Sequence, residues 1–139
     1  MSGENEAFVY ALVLGRVLAS LRERRGMSQG ELARRVGITQ STLSRMERGH
    51  GQPDAFTLKK LAESLEVTVA ELTTWVDKAL ERSRQATLGA IGPSAEPSEK
   101  PWWQAALKVA GAAGLAGLVA FAVSAALDKP VKAPRPRKK

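Results

Sequence analysis

QGELARRVGITQSTLSRMER, residues 29–48, reads as two short helices joined by a tight turn. Leu32, Val36, Ile38, Leu43 and Met46 recur at positions that direct both helices into one core, and Ala33 is small where the two touch. Gly37 falls at the corner, where the backbone needs a positive φ and glycine adopts it without steric cost. Thr39 is placed to cap the second helix through its hydroxyl. Ser41, Thr42, Ser44, Arg45 and Arg48 then share a face without an apolar side chain.

A polar face on a helix held out from its partner is the geometry of a helix-turn-helix, in which the second helix enters the major groove of DNA. Charge agrees with an anionic partner. The 139-residue chain carries a formal net charge of +7, which favours nucleic acid or an acidic membrane surface. Residues 16–48 hold eight Lys/Arg against three Asp/Glu, and residues 129–139 hold six against none. With no cysteine there is no disulfide framework or thiolate metal site, and a single histidine, His50, leaves little for a histidine-based metal or catalytic site. No Ser/His/Asp set, carboxylate pair or phosphate-cradling glycine loop stands out, so neither an enzyme nor a cofactor or metal site is expected.

Outward from the central motif, residues 7–25 predict a first helix with Phe8, Leu12, Leu14, Val17, Leu18 and Leu21 on a broad apolar face. Residues 1–6 are polar and are expected to fray. Gly26 ends the helix; Ser28, with Glu31 three residues on, predicts a capping box for the next. After the motif, the turn-rich GHGQPD leads to Asp54, the expected cap of a fourth helix with Phe56, Leu58, Leu61, Ala62 and Leu65 inward. Thr68 opens a fifth, with Val69, Leu72, Val76 and Leu80 at helical spacing and an expected end near Gln85. The fold class is therefore all-α: a five-helix domain over residues 7–86.

Three segments follow. Residues 87–101, TLGAIGPSAEPSEKP, contain three prolines, two glycines and two serines, the composition of a flexible linker. Residues 102–127 form an apolar helix, and 109–127 are 19 residues without a charge. Residues 128–139 are basic and proline-rich, an expected disordered tail. The uncharged run reaches the length of a transmembrane span, and Trp102 and Trp103 precede it where interfacial aromatics sit. Against a span, eight of those 19 residues are alanine and three glycine. The seven Leu, Val and Phe supply only about −2 to −4 kcal/mol of insertion energy. A span would also send the basic tail outward, against the positive-inside rule. The competing reading is an apolar helix in a soluble oligomer or on a membrane surface. The span is the expectation carried forward, with the DNA-binding domain cytoplasmic and anchored at the inner membrane.

The run LRERRGMSQGELARRVGITQSTLSRMERGHGQPDAFTLKKLAESLEVTVAEL, residues 21–72, resembles the Cro/repressor helix-turn-helix family, also called the XRE family. The resemblance implies a five-helix domain that binds operator DNA as a homodimer. Carried over by position, it implies base reading by Gln40, Ser41, Ser44 and Arg45. Chemistry concurs, since Gln pairs with adenine, Arg with guanine and Ser with either. It also implies phosphate contacts from Gln29, Thr39 and Arg48, with Gln29 bracing Gln40, and an internal salt bridge between Arg22 and Glu47. Arg34 and Arg35 read as a solvated face, His50 as a loop residue, and Trp75 as core or dimer interface. Two other functions stay open beside a membrane-tethered repressor. One is a membrane-anchored adaptor whose domain binds a cytoskeletal or other protein. The other is an antitoxin-type autorepressor.

Overall fold

The computed structural model describes residues 2–91 and 102–127. They form six helices: α1 Ser2–Arg24, α2 Gln29–Val36, α3 Gln40–Glu47, α4 Ala55–Ser64, α5 Val69–Ile91 and α6 Trp102–Ala126. No strand occurs among the described residues.

Local chemistry sets most helix boundaries. Ser28 Oγ accepts the Glu31 amide at 3.1 Å, and Glu31 Oε2 accepts the Ser28 amide at 2.8 Å, which completes the capping box. Gly37 ends α2 at φ 82°, with its N–H donating to the Ala33 carbonyl. Thr39 caps α3, and Asp54 caps α4 by accepting the Thr57 amide at 2.7 Å. Thr68 and Glu71 form a second reciprocal pair at the start of α5. Each cap satisfies amides that the first turn of a helix leaves without a partner.

The core lies where α1 crosses the other helices. Val13, Val17, Leu18, Leu21, Leu32, Leu43, Leu61, Leu65, Leu72 and Val76 are almost completely shielded from solvent. α1 packs on α3, α5 and α6, while α2 packs on α3 and α4. α1 starts at Ser2, earlier than expected, and α5 runs to Ile91, past the expected end at Gln85. The rest of the linker segment and the basic tail lie outside the described residues.

Two side chains expected in the core are at the surface. Phe8 is 47% exposed and Phe56 is 67% exposed. Phe56 sits in the first turn of α4, where the Lys60 ammonium lies 5.4 Å from the ring centroid. A cation over the ring face offsets part of the cost of leaving it in water.

The largest departure is α6. Among the described residues no helix is long and apolar enough to cross a membrane, so the expected span finds no support in the structure. The helix is interrupted at Gly111, whose φ of 69° and ψ of −177° belong to a region that only glycine occupies readily. Residues 112–126 beyond it cover roughly 22 Å at 1.5 Å per residue, against a hydrocarbon core about 30 Å thick. α6 instead lies on α5 and α1. Leu115, Val119, Ala122, Val123, Ala126 and Leu127 are buried there. Arg24, the last residue of α1, donates from Nη1 to the Leu127 carbonyl at 2.6 Å and so satisfies the end of α6.

Candidate nucleic-acid interface

α3 has two unlike faces. Leu43, Met46 and Glu47 are buried. Gln40, Ser41, Thr42 and Arg45 are exposed, Arg48 is exposed at the C-cap, and Ser44 is half-buried between the two faces. The sequence-derived base readers Gln40, Ser41 and Arg45 therefore share one solvent-facing surface, with Ser44 at its margin.

The inner face is fixed by an ionic node. Arg22 Nε donates to Glu47 Oε1 at 2.7 Å and Arg22 Nη2 to Glu47 Oε2 at 3.1 Å, a bidentate pair. Their side chains are only 12% and 5% exposed. Gln29 Nε2 adds a third bond to Glu47 Oε2 at 2.8 Å, and Arg22 Nη1 donates to the Met27 carbonyl at 2.8 Å. The hydrogen bond to Glu47 holds the Arg22 guanidinium pKa above its ordinary value. One carboxylate thus joins α1, the start of α2 and the end of α3, each polar atom having a partner as burial requires.

Gln29 differs from expectation here. Its amide is turned to Glu47 instead of bracing Gln40. Gly30 lies close to Gln40; a Cβ built there would stand 3.7 Å from Gln40 Oε1. Thr39 is committed too, with Oγ1 accepting the Thr42 amide at 3.1 Å and lying 2.8 Å from Thr42 Oγ1. Arg48 curls back so that Nε donates to the Ser44 carbonyl at 3.2 Å. Arg34 and Arg35 are exposed on the last turn of α2 and with Glu31 line a shallow hollow.

Two glycines let α1 seat this unit. A Cβ on Gly15 would stand 2.2 Å from the Met46 carbonyl oxygen, and one on Gly49, at φ 78°, would stand 2.8 Å from Leu12 Cα. Backbone meets backbone at both places. Sequence reasoning passed over both residues. For Gly15 the available signal was a glycine inside a strongly apolar helix, which marks close packing.

The comparisons with known proteins follow this geometry. A family model described as Helix-turn-helix matches residues 18–72, from the second half of α1 into the start of α5. An uncharacterized HTH-type transcriptional regulator of Sinorhizobium fredii, y4dJ, is 39% identical over 66 residues, covering 48% of this chain and 86% of that protein. The HTH-type transcriptional regulator SlrR of Bacillus subtilis is 41% identical over 61 residues, covering 43% of this chain and 40% of SlrR. No solved structure matches the chain significantly. The matched family is one of DNA-binding transcriptional regulators and not of enzymes. With 86% of y4dJ covered at 39% identity and the helix-turn-helix model matching residues 18–72, the chain belongs to the XRE-type helix-turn-helix family.

Proposed function

We propose that this protein is a repressor that binds double-stranded operator DNA as a homodimer. Gln40, Ser41, Ser44 and Arg45 read base edges in the major groove, and Thr39, Arg48 and the start of α2 at Gln29 meet phosphates. The observation that carries this reading is the division of α3. Its inner face is locked by Leu43, Met46 and Glu47, while Gln40, Ser41 and Arg45 are exposed together. Gln and Arg at the start and one turn along a groove-lying helix suit adenine and guanine respectively. Because Gln29 is held by Glu47, its phosphate contact falls to the backbone amides at the start of α2, where helix geometry favours an anion.

One short helix covers only a few base pairs, too few for specificity against a genome. Two copies with recognition helices about 34 Å apart read two half-sites. Repression needs no more than occupation of a promoter. α6 enters this reading as a packed helix and not as a membrane anchor, supported by its buried contacts with α1 and α5.

The test is selection of bound duplexes from a random pool by the full chain and by the Arg45→Ala and Gln40→Ala variants. Each variant should relax one base position per half-site at a cost of about 1–3 kcal/mol. Recovery of the same sequence at the same affinity by both variants defeats the assignment. Transcription in vitro from a promoter overlapping the selected site should fall when the protein is added; a rise would make it an activator.

A further inference from the structure

α5 and α6 pack on each other, yet a groove opens along their seam. On α5, Arg82, Gln85 and Ala86 share a face by helical spacing, and on α6 Leu118, Phe121, Ala122 and Ala125 do the same. Together they line a groove of about 340 Å³. Alanine at 86, 122 and 125 leaves the space between the two helices unfilled. Phe121 is 72% exposed, the most exposed large apolar side chain among the described residues. Of the described residues in the lining, only Arg82 is charged. Among the described residues Arg82 enters no ion pair. The carboxylate of its neighbour Glu81 is already held by Arg84 at 2.8 Å and by Gln85 at 3.0 Å.

We propose that this groove binds a small organic acid, one carboxylate carried on an apolar body. The proposal goes beyond the DNA-binding reading and does not depend on it. The volume lies at the low end of small-molecule sites, which run from about 300 to 1,000 Å³, and so suits a short acyl chain. A guanidinium without a counterion matches a carboxylate in charge and in its paired donors. The apolar body would lie on Phe121, Leu118 and the three alanines and remove the exposed ring from water. A phosphorylated ligand fits less well, because the lining offers no second cation. A second copy of the chain also fits less well. A two-fold contact across this face would bring both Arg82 side chains into one interface, with no carboxylate in the lining to balance them.

The experiment titrates the full chain with octanoate and with octanamide, its uncharged counterpart, by calorimetry and by amide NMR. Arg82→Gln and Ala86→Leu are titrated alongside; both positions are exposed on α5, so neither change enters the core. Octanoate should saturate one site per chain and shift the amides of residues 82–86 and 118–125. Octanamide should bind about tenfold more weakly, because it cannot form the charge-assisted pair. Arg82→Gln should bring octanoate down to the octanamide level and leave octanamide unchanged. Ala86→Leu should weaken both by filling the groove. Absence of saturable binding overturns the proposal, as do shifts confined to other helices. Equal affinity for the acid and the amide, or an Arg82→Gln variant that binds octanoate like the parent, overturns the role of the guanidinium and with it the ligand class.

Phe121→Ala separates the two occupants of this face. The ring is exposed, so its removal should weaken octanoate and octanamide alike while the sedimentation coefficient of the protein stays that of the parent. A variant that falls to a smaller assembly, from a parent that octanoate also dissociates, would give the groove to a second copy of the chain and overturn the acid site.

Discussion

Gly15 faces the end of α3 so closely that a Cβ on it would lie 2.2 Å from the Met46 carbonyl oxygen. A backbone oxygen cannot rotate away like the end of a side chain, so Gly15→Ala must push α1 and α3 apart. The expected cost is about 3 kcal/mol, at the upper end for overpacking. Gly89→Ala serves as the control: it lies in α5 with nothing within 4 Å of the added carbon. There the change should stabilise by roughly 0.5–1 kcal/mol through helix propensity. Urea midpoints moving in opposite directions would support both assignments; equal shifts would contradict the close approach.

Removing one partner of the node at Glu47 should cost far more than removing two. Arg22→Met or Glu47→Leu alone leaves an almost buried charge without its counterion, at roughly 2–4 kcal/mol. The double variant should recover much of that loss. A double-mutant cycle in urea measures the coupling, and simple additivity would argue that the pair stands independently in solvent.

The capping carboxylates give the stability a defined acid limb. Hydrogen bonding from the Ser28 amide lowers the Glu31 pKa below 4.5, and that from the Thr57 amide lowers Asp54 below 3.8. A carboxylate with a depressed folded-state pKa stabilises fully above its unfolded value and loses that contribution as pH falls through the folded value. The double variant Glu31→Gln, Asp54→Asn keeps acceptors but removes the titration. Its thermal midpoint should fall short of the parent's at pH 7 and approach it near pH 3. Curves that stay parallel over this range would show that these carboxylates do not titrate with folding.

Leu115→Ala and Leu127→Ala test whether α6 belongs to the folded unit. Both leucines are buried, at 2% and 0% exposure. Each truncation should cost about 2–5 kcal/mol in urea unfolding, read from the fluorescence of Trp75, Trp102 and Trp103. No change in the unfolding of α1–α5 would detach α6 from the core.

The turn and capping chemistry was legible in the sequence because each signal is local: Ser28 with Glu31, Gly37, Thr39 and Asp54 specify caps within four residues. The exposed face of α3 was legible for the same reason. Phe8 and Phe56 were misassigned because helical periodicity locates a face but not where the bundle stops covering it. The fate of α6 depends on partners far away in sequence. An uncharged run of 19 residues fits a membrane span and a buried helix equally well. The deciding hint lay in α5, where Ser83 and Thr87 continue the buried stripe of Val76 and Ala79. Two shielded hydroxyl residues in line with a core stripe show that this face of α5 stays covered past Ala79, and α6 packs on α5. The Gln29 bond to Glu47 was hidden for a different reason: one carboxylate with two acceptor oxygens admits several donors, and spacing cannot rank them.

Glu47 receives hydrogen bonds from α1 and from the first residue of α2 while itself belonging to α3. No one of these helices can swing open without stripping a partner from a buried carboxylate. The reading head should therefore behave as a single kinetic block. Its amides would exchange with deuterium only through an opening that releases all three helices, and their protection would converge on one value. A regulator with such a head has no half-open form of α3 to offer: it meets DNA with the helix already set, and the ordering entropy is met during folding rather than at the operator.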